Sequence, residues 1–150
     1  MLSKRLEQVA SMVTKGNIIA DIGTDHGYVP IYLVEKGICH KAYAMDINQG
    51  PIESAIKNIE NYGLSEKIQA IKSNGLEKLE PEKADTIIIA GMGGELIVNI
   101  LENGLAKLEN CSRPVKELVL SPHKRGDLVR KYLEEHKWQK KKKKMLIDMN

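Results

Sequence analysis

The order of apolar runs and glycine turns along these 150 residues predicts an α/β fold, a mostly parallel sheet with helices on both faces. Three observations carry that reading. Short apolar runs alternate with stretches of helical periodicity, and parallel strands need such crossover helices. The runs are near-continuous, without polar alternation, as strands covered on both sides are. Each run ends in a glycine-rich or polar cluster, and sheets of this type bind ligands beyond the carboxyl ends of their strands, where the strand order reverses.

Taken in order, Leu2, Leu6, Val9, Ala10 and Val13 recur at helical spacing behind Ser3, a residue suited to the N-cap. The first thirteen or so residues therefore form an amphipathic helix, which Lys15-Gly16-Asn17 ends. Ile18 to Ile22 reads as a buried strand running into Gly23, and a helix from about Val29 to Lys36 closes at Gly37. Lys41 to Ile47 is the second strand. Pro51 to Tyr62 is a helix with proline in its first turn and Gly63 at its stop. Ile68 to Lys72 and Asp85 to Ala90 are the third and fourth strands. A helix from Glu95 to about Glu102 is expected to break at Asn103-Gly104. Glu117 to Leu120 is a fifth strand and Lys124 to His136 a further helix. Glu80-Pro81-Glu82-Lys83 is a surface turn, and neither an internal repeat nor a linker divides the chain, which reads as one domain.

Composition narrows the class. Hydrophobic residues make up 42% and charged residues 29%, the balance of an ordinary globular chain. The net charge of +3 includes the five consecutive lysines Lys140 to Lys144, so the rest of the chain is slightly acidic and total charge does not define a nucleic-acid binder. A solvated basic segment is the common reading of such a run. The longest apolar run, Ile87 to Ala90, is far below the roughly 20 residues of a spanning helix. No apolar signal core follows Met1-Leu2-Ser3-Lys4-Arg5. Cys39 and Cys111 form no CxxC pair, which speaks against a disulfide scaffold or zinc site and for the reducing cytoplasm.

The residues with chemical potential cluster at strand ends. In Asp21-Ile22-Gly23-Thr24-Asp25-His26-Gly27-Tyr28, Gly23 permits a sharp turn and Gly27 lets a helix start close to a ligand. A dinucleotide fingerprint would need glycine where Asp25 stands, and a carboxylate there repels a pyrophosphate. This disfavours an NAD-dependent dehydrogenase. An acidic residue before the glycine turn suits a cofactor with a positively charged amino group and no phosphate, as in S-adenosylmethionine. Asp46 follows Gly23 by 23 residues, a position from which a carboxylate can accept both ribose hydroxyls. Asn74 and Gly75 can present amide groups to an adenine edge, and Gly91, in Ala90-Gly91-Met92-Gly93-Gly94, leaves backbone open to a substrate or a methionyl tail. Asp25 and His26 fit both a helix-capping role and a catalytic or substrate role. His40 and His123 read as ordinary loop residues, Met92 as packing, and no metal site is expected.

Four segments, Ser3-Lys4-Arg5-Leu6, Ala20 to Tyr28, Ser73-Asn74-Gly75-Leu76 and Ile89 to Gly94, together resemble the bacterial TrmK family of tRNA adenine-22 N1-methyltransferases. The resemblance runs over essentially the whole chain. It implies a Rossmann-like class I fold, S-adenosylmethionine as cofactor and tRNA as partner. N1 of neutral adenine carries a lone pair, so positioning can supply much of the rate, and the product ring is cationic. On that basis Asp25 is the candidate for stabilising the developing charge, His26 its hydrogen-bonding partner, and Tyr28 the residue that stacks on or hydrogen-bonds the adenine. Lys4, Arg5, Lys124 and Arg125 flank strand ends on that side and are candidates for phosphate contacts. The family continues beyond Asn150 with the last strand of its sheet and a helical domain. The expectation is therefore a C-terminally truncated domain, with the last strand missing and Met145 to Ile147, the counterpart of the penultimate strand, left without a partner. The competing reading is a non-catalytic remnant that binds cofactor but does not engage tRNA.

Overall fold

In a computed structural model the described residues are 2–138 and the backbone of 143–145. The chain begins with helix α1 (Lys4–Ser11), capped by Ser3, whose hydroxyl accepts the Leu6 N–H at 3.2 Å. Then follow β1 (Ile19–Ile22), α2 (Tyr28–Glu35), β2 (Ala42–Asp46), α3 (Gln49–Asn61), β3 (Ile68–Lys72), β4 (Thr86–Ala90), α4 (Gly94–Glu109), β5 (Glu117–Ser121), α5 (Gly126–Glu135) and β6 (Lys143–Met145). The expected α/β alternation is thus present, with boundaries within a few residues except in α4.

The strands form one sheet in the order β3-β2-β1-β4-β5-β6, every pair parallel. β1 is the pivot: Asp21 is in register with Ala44 of β2 on one side and Ile88 of β4 on the other. The order reverses there, which opens a crevice at the carboxyl end of β1. Strand side chains alternate between two cores. Ile22, Met45, Ile87, Ile89, Leu118 and Leu120 face α4 and α5, where Ile97, Leu101, Leu105, Val129 and Leu133 cover them. Ile19, Ala42, Ala44, Ile88 and Val119 face α1, α2 and α3, with Val9, Leu33, Ala55 and Ile59 above them. All five residues of β2 and of β5 are buried, which is why these strands show no polar alternation.

Two expectations are corrected here. Helix α4 does not break at Asn103-Gly104 but runs through it to Glu109. The apolar face continues through buried Leu101, Leu105 and Leu108, and Gly104 is where the helix meets the loop after β3: a Cβ there would lie 2.6 Å from that of Leu76. This glycine serves close packing, not termination. Gly104→Ala should therefore lower stability by about 1–2 kcal/mol, overpacking outweighing the gain in helix propensity, and thermal melting should show a drop of a few degrees. A raised melting temperature would contradict this.

The second correction concerns the sheet edge. β6 is not left without a partner; it pairs directly with β5, Leu118 in register with Lys143 and Leu120 with Met145. The open N–H and C=O groups of β5 are a template for the next extended segment, and β6 takes it. Of the expected strand Met145 to Ile147 only Met145 is described; residues 146 and 147, and the lysines at 140–142, lie outside the described residues. Among the described residues the sheet has no antiparallel strand.

The opposite end of the sheet is closed by a buried polar network. Asp85 accepts the Ile18 N–H and the Arg113 guanidinium, both at 2.8 Å, and Glu117 accepts the Thr14 N–H and the hydroxyls of Thr14 and Thr86. That end is tied up structurally, and the carboxyl ends of the strands are left for function. Cys39 and Cys111 are free thiols. Among the described residues no helix is long and apolar enough to cross a membrane.

Candidate functional site

A cavity of about 570 Å³ opens at the carboxyl ends of β1, β2, β3 and β4. Asp21, Gly23, Asp25, Tyr28, Asp46, Asn74, Gly75, Gly91 and Arg5 all line it. Segments as far apart as residues 5 and 91 converge there because four parallel strands end in one plane.

Asp46 ends β2, and its carboxylate organises two loops. Oδ2 accepts the Asp25 N–H at 3.3 Å and Oδ1 the Asn48 N–H at 3.0 Å. A carboxylate has about four acceptor positions, so two backbone bonds leave capacity for the hydroxyls of a ligand. The Asp46 carbonyl accepts the Ser73 N–H at 2.8 Å, which draws the loop after β3 alongside. There the Ser73 hydroxyl donates to the Gly75 carbonyl and accepts the Lys78 N–H, holding Asn74 and Gly75 in a tight turn at the cavity wall.

Asp21 is buried at the end of β1, with the Thr24 hydroxyl donating to it at 2.9 Å. Burial pushes its carboxyl up from the ordinary 3.8 to about 7; the Thr24 hydrogen bond opposes that rise and the neighbouring charges of Asp46 and Asp25 add to it. A carboxyl group so placed is ready to ionise when a cation enters. After it, Gly23 turns at φ +76°, its N–H and that of Thr24 both donating to the Met45 carbonyl. The positive φ is what requires glycine here; a Cβ would also meet the terminal methyl of Met92, which is flexible enough to move aside. Met92 packs against the core, as expected.

The segment Asp25-His26-Gly27 is a left-handed turn, with φ of 40°, 65° and 75°. The helix-cap reading of Asp25 and His26 does not anticipate it; the residue that caps α2 is Gly27. The Asp25 side chain is 72% exposed at the cavity mouth, and His26 stands beside it, Nε2 3.3 Å from Asp25 Oδ1. His26 does not itself line the cavity. Its ring lies 5.3 Å from that of Tyr28, which is 40% exposed on the cavity wall. The residues that sequence reasoning missed are on α3: Ser54, with Oγ 2.6 Å from His26 Nδ1, and Asn58, whose amide donates to the His26 carbonyl at 2.9 Å. Their spacing of four puts both on one helix face, the one available signal.

The four cationic residues separate. Arg5 enters the cavity wall with its guanidinium engaged, donating to the Ser121 hydroxyl at 2.7 Å and to the Ser121 and Pro122 carbonyls at 3.3 Å. The Ser121 carbonyl also accepts the Gly91 N–H at 3.1 Å, so α1, the end of β5 and the glycine loop after β4 are bound together. Lys4 is exposed on α1. Lys124 and Arg125 lie outside the cavity, beside Gly93 and Gly94. Arg125 pairs with Asp127 at 3.1 Å and Glu95 at 3.8 Å, and its carbonyl sits so near Gly94 that only glycine fits there.

Sheets of this order hold nucleotide-type ligands at the reversal beside β1. Here Asp25 stands in the turn after Gly23, where a pyrophosphate binder keeps open glycine backbone, and with Asp21 and Asp46 at the strand ends this suits a nucleoside ligand without phosphate better than a dinucleotide. The chain belongs to the methyltransferase domain family, whose model matches residues 2–150. Within it the likeness is to the TrmK proteins. The chain is 42% identical over 132 residues to the tRNA (adenine(22)-N(1))-methyltransferase of Bacillus subtilis, covering 88% of this chain and 54% of the relative. The crystal structure of Bacillus subtilis TrmK superposes with a TM-score of 0.84 at 40% identity, over 91% of this chain and 56% of that one. Streptococcus pneumoniae Sp1610, solved in complex with S-adenosyl-L-methionine, gives 0.85 at 50% identity, over 91% and 62%. The chain thus spans little more than half the length of these relatives.

Proposed function

We propose that this domain transfers a methyl group from S-adenosylmethionine to N1 of adenine 22 in tRNA, in the cytoplasm. The observation that carries the reading is the convergence of Asp21, Gly23 and Asp46 on one nucleoside-sized cavity with Asp25 at its mouth. The likeness to TrmK proteins, one of them solved with this cofactor, supports it.

The residues present fit the cofactor. Asp46 has acceptor capacity for two ribose hydroxyls, Asn74 and Gly75 offer an amide-rich turn for the adenine edge, and buried Asp21 complements a cationic amino-acid tail passing Gly23 and Gly91. When bound, S-adenosylmethionine supplies its methyl carbon to the N1 lone pair, the new C–N bond forming as the C–S bond breaks and sulfur keeps the electron pair. No proton has to leave neutral adenine for this step. The chain's contribution is alignment and charge: Tyr28 offers a ring for the target base, and Asp25, with His26 beside it, places negative charge near the ring that becomes cationic. N1 lies on the pairing edge, so the base must be unpaired or flipped out. Lys4 and Lys124 are exposed cations for phosphates near the mouth, with Arg5 and Arg125 contributing from their anchored positions.

The test is a labelled-methyl assay on unmodified tRNA, with a transcript carrying guanine at position 22 as control. Label in the first and not the second supports the reading; cofactor binding with no transfer to either overturns it. Asp25→Ala separates binding from transfer, because the Asp25 N–H that donates to Asp46 is a backbone group and survives the substitution. Single-turnover transfer should fall about 10- to 100-fold while affinity for S-adenosylhomocysteine stays within about twofold. Asp25→Asn, which tolerates positive φ better than alanine, controls for backbone strain. Transfer at the parental rate in both variants would remove Asp25 from the mechanism.

A further inference from the structure

The left-handed turn at Asp25-His26-Gly27 requires support. Asp25 and His26 both adopt positive φ without being glycine, a conformation that costs of order 1 kcal/mol per residue and persists only where neighbours over-determine it. Helix α3 supplies that restraint from one face. Asn58 donates to the His26 carbonyl at 2.9 Å, Ala55 lies so close to Gly27 that a Cβ on the glycine would be 3.2 Å from its own, and Ser54 Oγ meets His26 Nδ1 at 2.6 Å.

The imidazole is held at both nitrogens. Nε2 lies 3.3 Å from Asp25 Oδ1, and a hydrogen on Nε2 is electrostatically favoured beside a carboxylate. Nδ1 is then the acceptor, and the Ser54 hydroxyl, which can rotate to suit, donates to it. A serine inside a helix commonly returns its hydroxyl to a carbonyl of its own preceding turn; this one reaches across to a different element.

We propose that Ser54 and Asn58 are positioning residues for methyl transfer: Ser54 anchors the His26 ring through Nδ1 so that its Nε2–H faces Asp25, and Asn58 holds the left-handed backbone that carries both to the cavity mouth. This rests on the methyl-transfer reading above. Neither residue lines the cavity, so both act through His26 and Asp25 and not on the ligand.

The test combines three readouts on the full chain: the ¹⁵N spectrum of the His26 imidazole, calorimetry with S-adenosylhomocysteine, and single-turnover transfer to unmodified tRNA. In the parental protein His26 should be the Nε2–H tautomer; an Nδ1–H tautomer there overturns the proposal whatever the variants do. Ser54→Ala should shift the Nδ1 resonance toward that of an unbonded ring nitrogen and slow transfer roughly 10- to 100-fold with cofactor affinity within about twofold, and Ser54→Thr should restore both resonance and rate. Asn58→Ala should slow transfer similarly without that shift. An unchanged Nδ1 resonance in Ser54→Ala, or transfer within twofold of parental in both alanine variants, sinks the idea. A parental protein that binds the cofactor but transfers nothing indicts the methyl-transfer reading instead, and the Nδ1 resonance then still decides the role of Ser54.

Discussion

Asp46→Ala is expected to weaken binding of S-adenosylhomocysteine by about 100-fold or more, the loss of two charge-assisted hydrogen bonds to ribose at roughly 1.5–3 kcal/mol each. The effect should exceed the ligand contacts alone. Asp46 also accepts the N–H groups of Asp25 and Asn48, so its removal frees the loops after β1 and β2 together. Asp46→Asn separates the two contributions: its side-chain oxygen can keep one backbone bond, while its amide nitrogen cannot accept from a hydroxyl. Calorimetry should rank parental, Asn and Ala in falling affinity. Equal affinity across the series would place the ribose elsewhere.

The second large effect is a pH dependence that changes direction between the free and the bound protein. Asp21 in the folded chain titrates near 7, against 3.8 for an ordinary aspartate. A carboxyl raised in this way favours the folded state at low pH and loses that contribution as pH rises through about 7, because charging it in the buried site is then required. The unliganded protein should therefore be more stable at pH 6 than at pH 8, by about 1 kcal/mol. Binding runs the other way. A cationic cofactor favours the ionised carboxylate, so its affinity should fall as pH drops below 7, by at most about tenfold per pH unit from this group. The other charged groups on the cavity, Asp25, Asp46 and Arg5, belong to the same field. Asp21→Asn should remove both slopes and raise the melting temperature of the unliganded protein at pH 8 while weakening cofactor binding, a stability gain at the expense of function. Melting curves and titrations at pH 6, 7 and 8 check this; an Asn variant with the parental slope would assign the pH dependence to another group.

How much of this was legible in the residues differs by level. The strands were, because β2 and β5 are buried along their whole length and are apolar at every interior position, with Asp46, Glu117 and Ser121 only at their ends. The gathering of Asp21, Gly23, Asp46, Asn74 and Gly91 around one cavity was legible too, since a parallel sheet brings every carboxyl end to the same side. Gly104 misled because glycine reads as a stop, whereas its missing side chain here admits Leu76. The left-handed path through Asp25 and His26 left no trace in the sequence; it depends on Ser54 and Asn58, some 30 residues away. Nor did composition foretell that β6 would pair with β5, because an open edge accepts whatever extended segment arrives.

The central claim is that the cavity over β1 and β2 holds S-adenosylmethionine through Asp46 and Asp21. A crystal structure of this chain with S-adenosylhomocysteine tests it most directly. Both ribose hydroxyls should lie within hydrogen-bonding distance of the Asp46 carboxylate, and the amino-acid tail should run past Gly23 toward Asp21. A ribose bound away from Asp46, or a nucleoside seated outside this cavity, would contradict it.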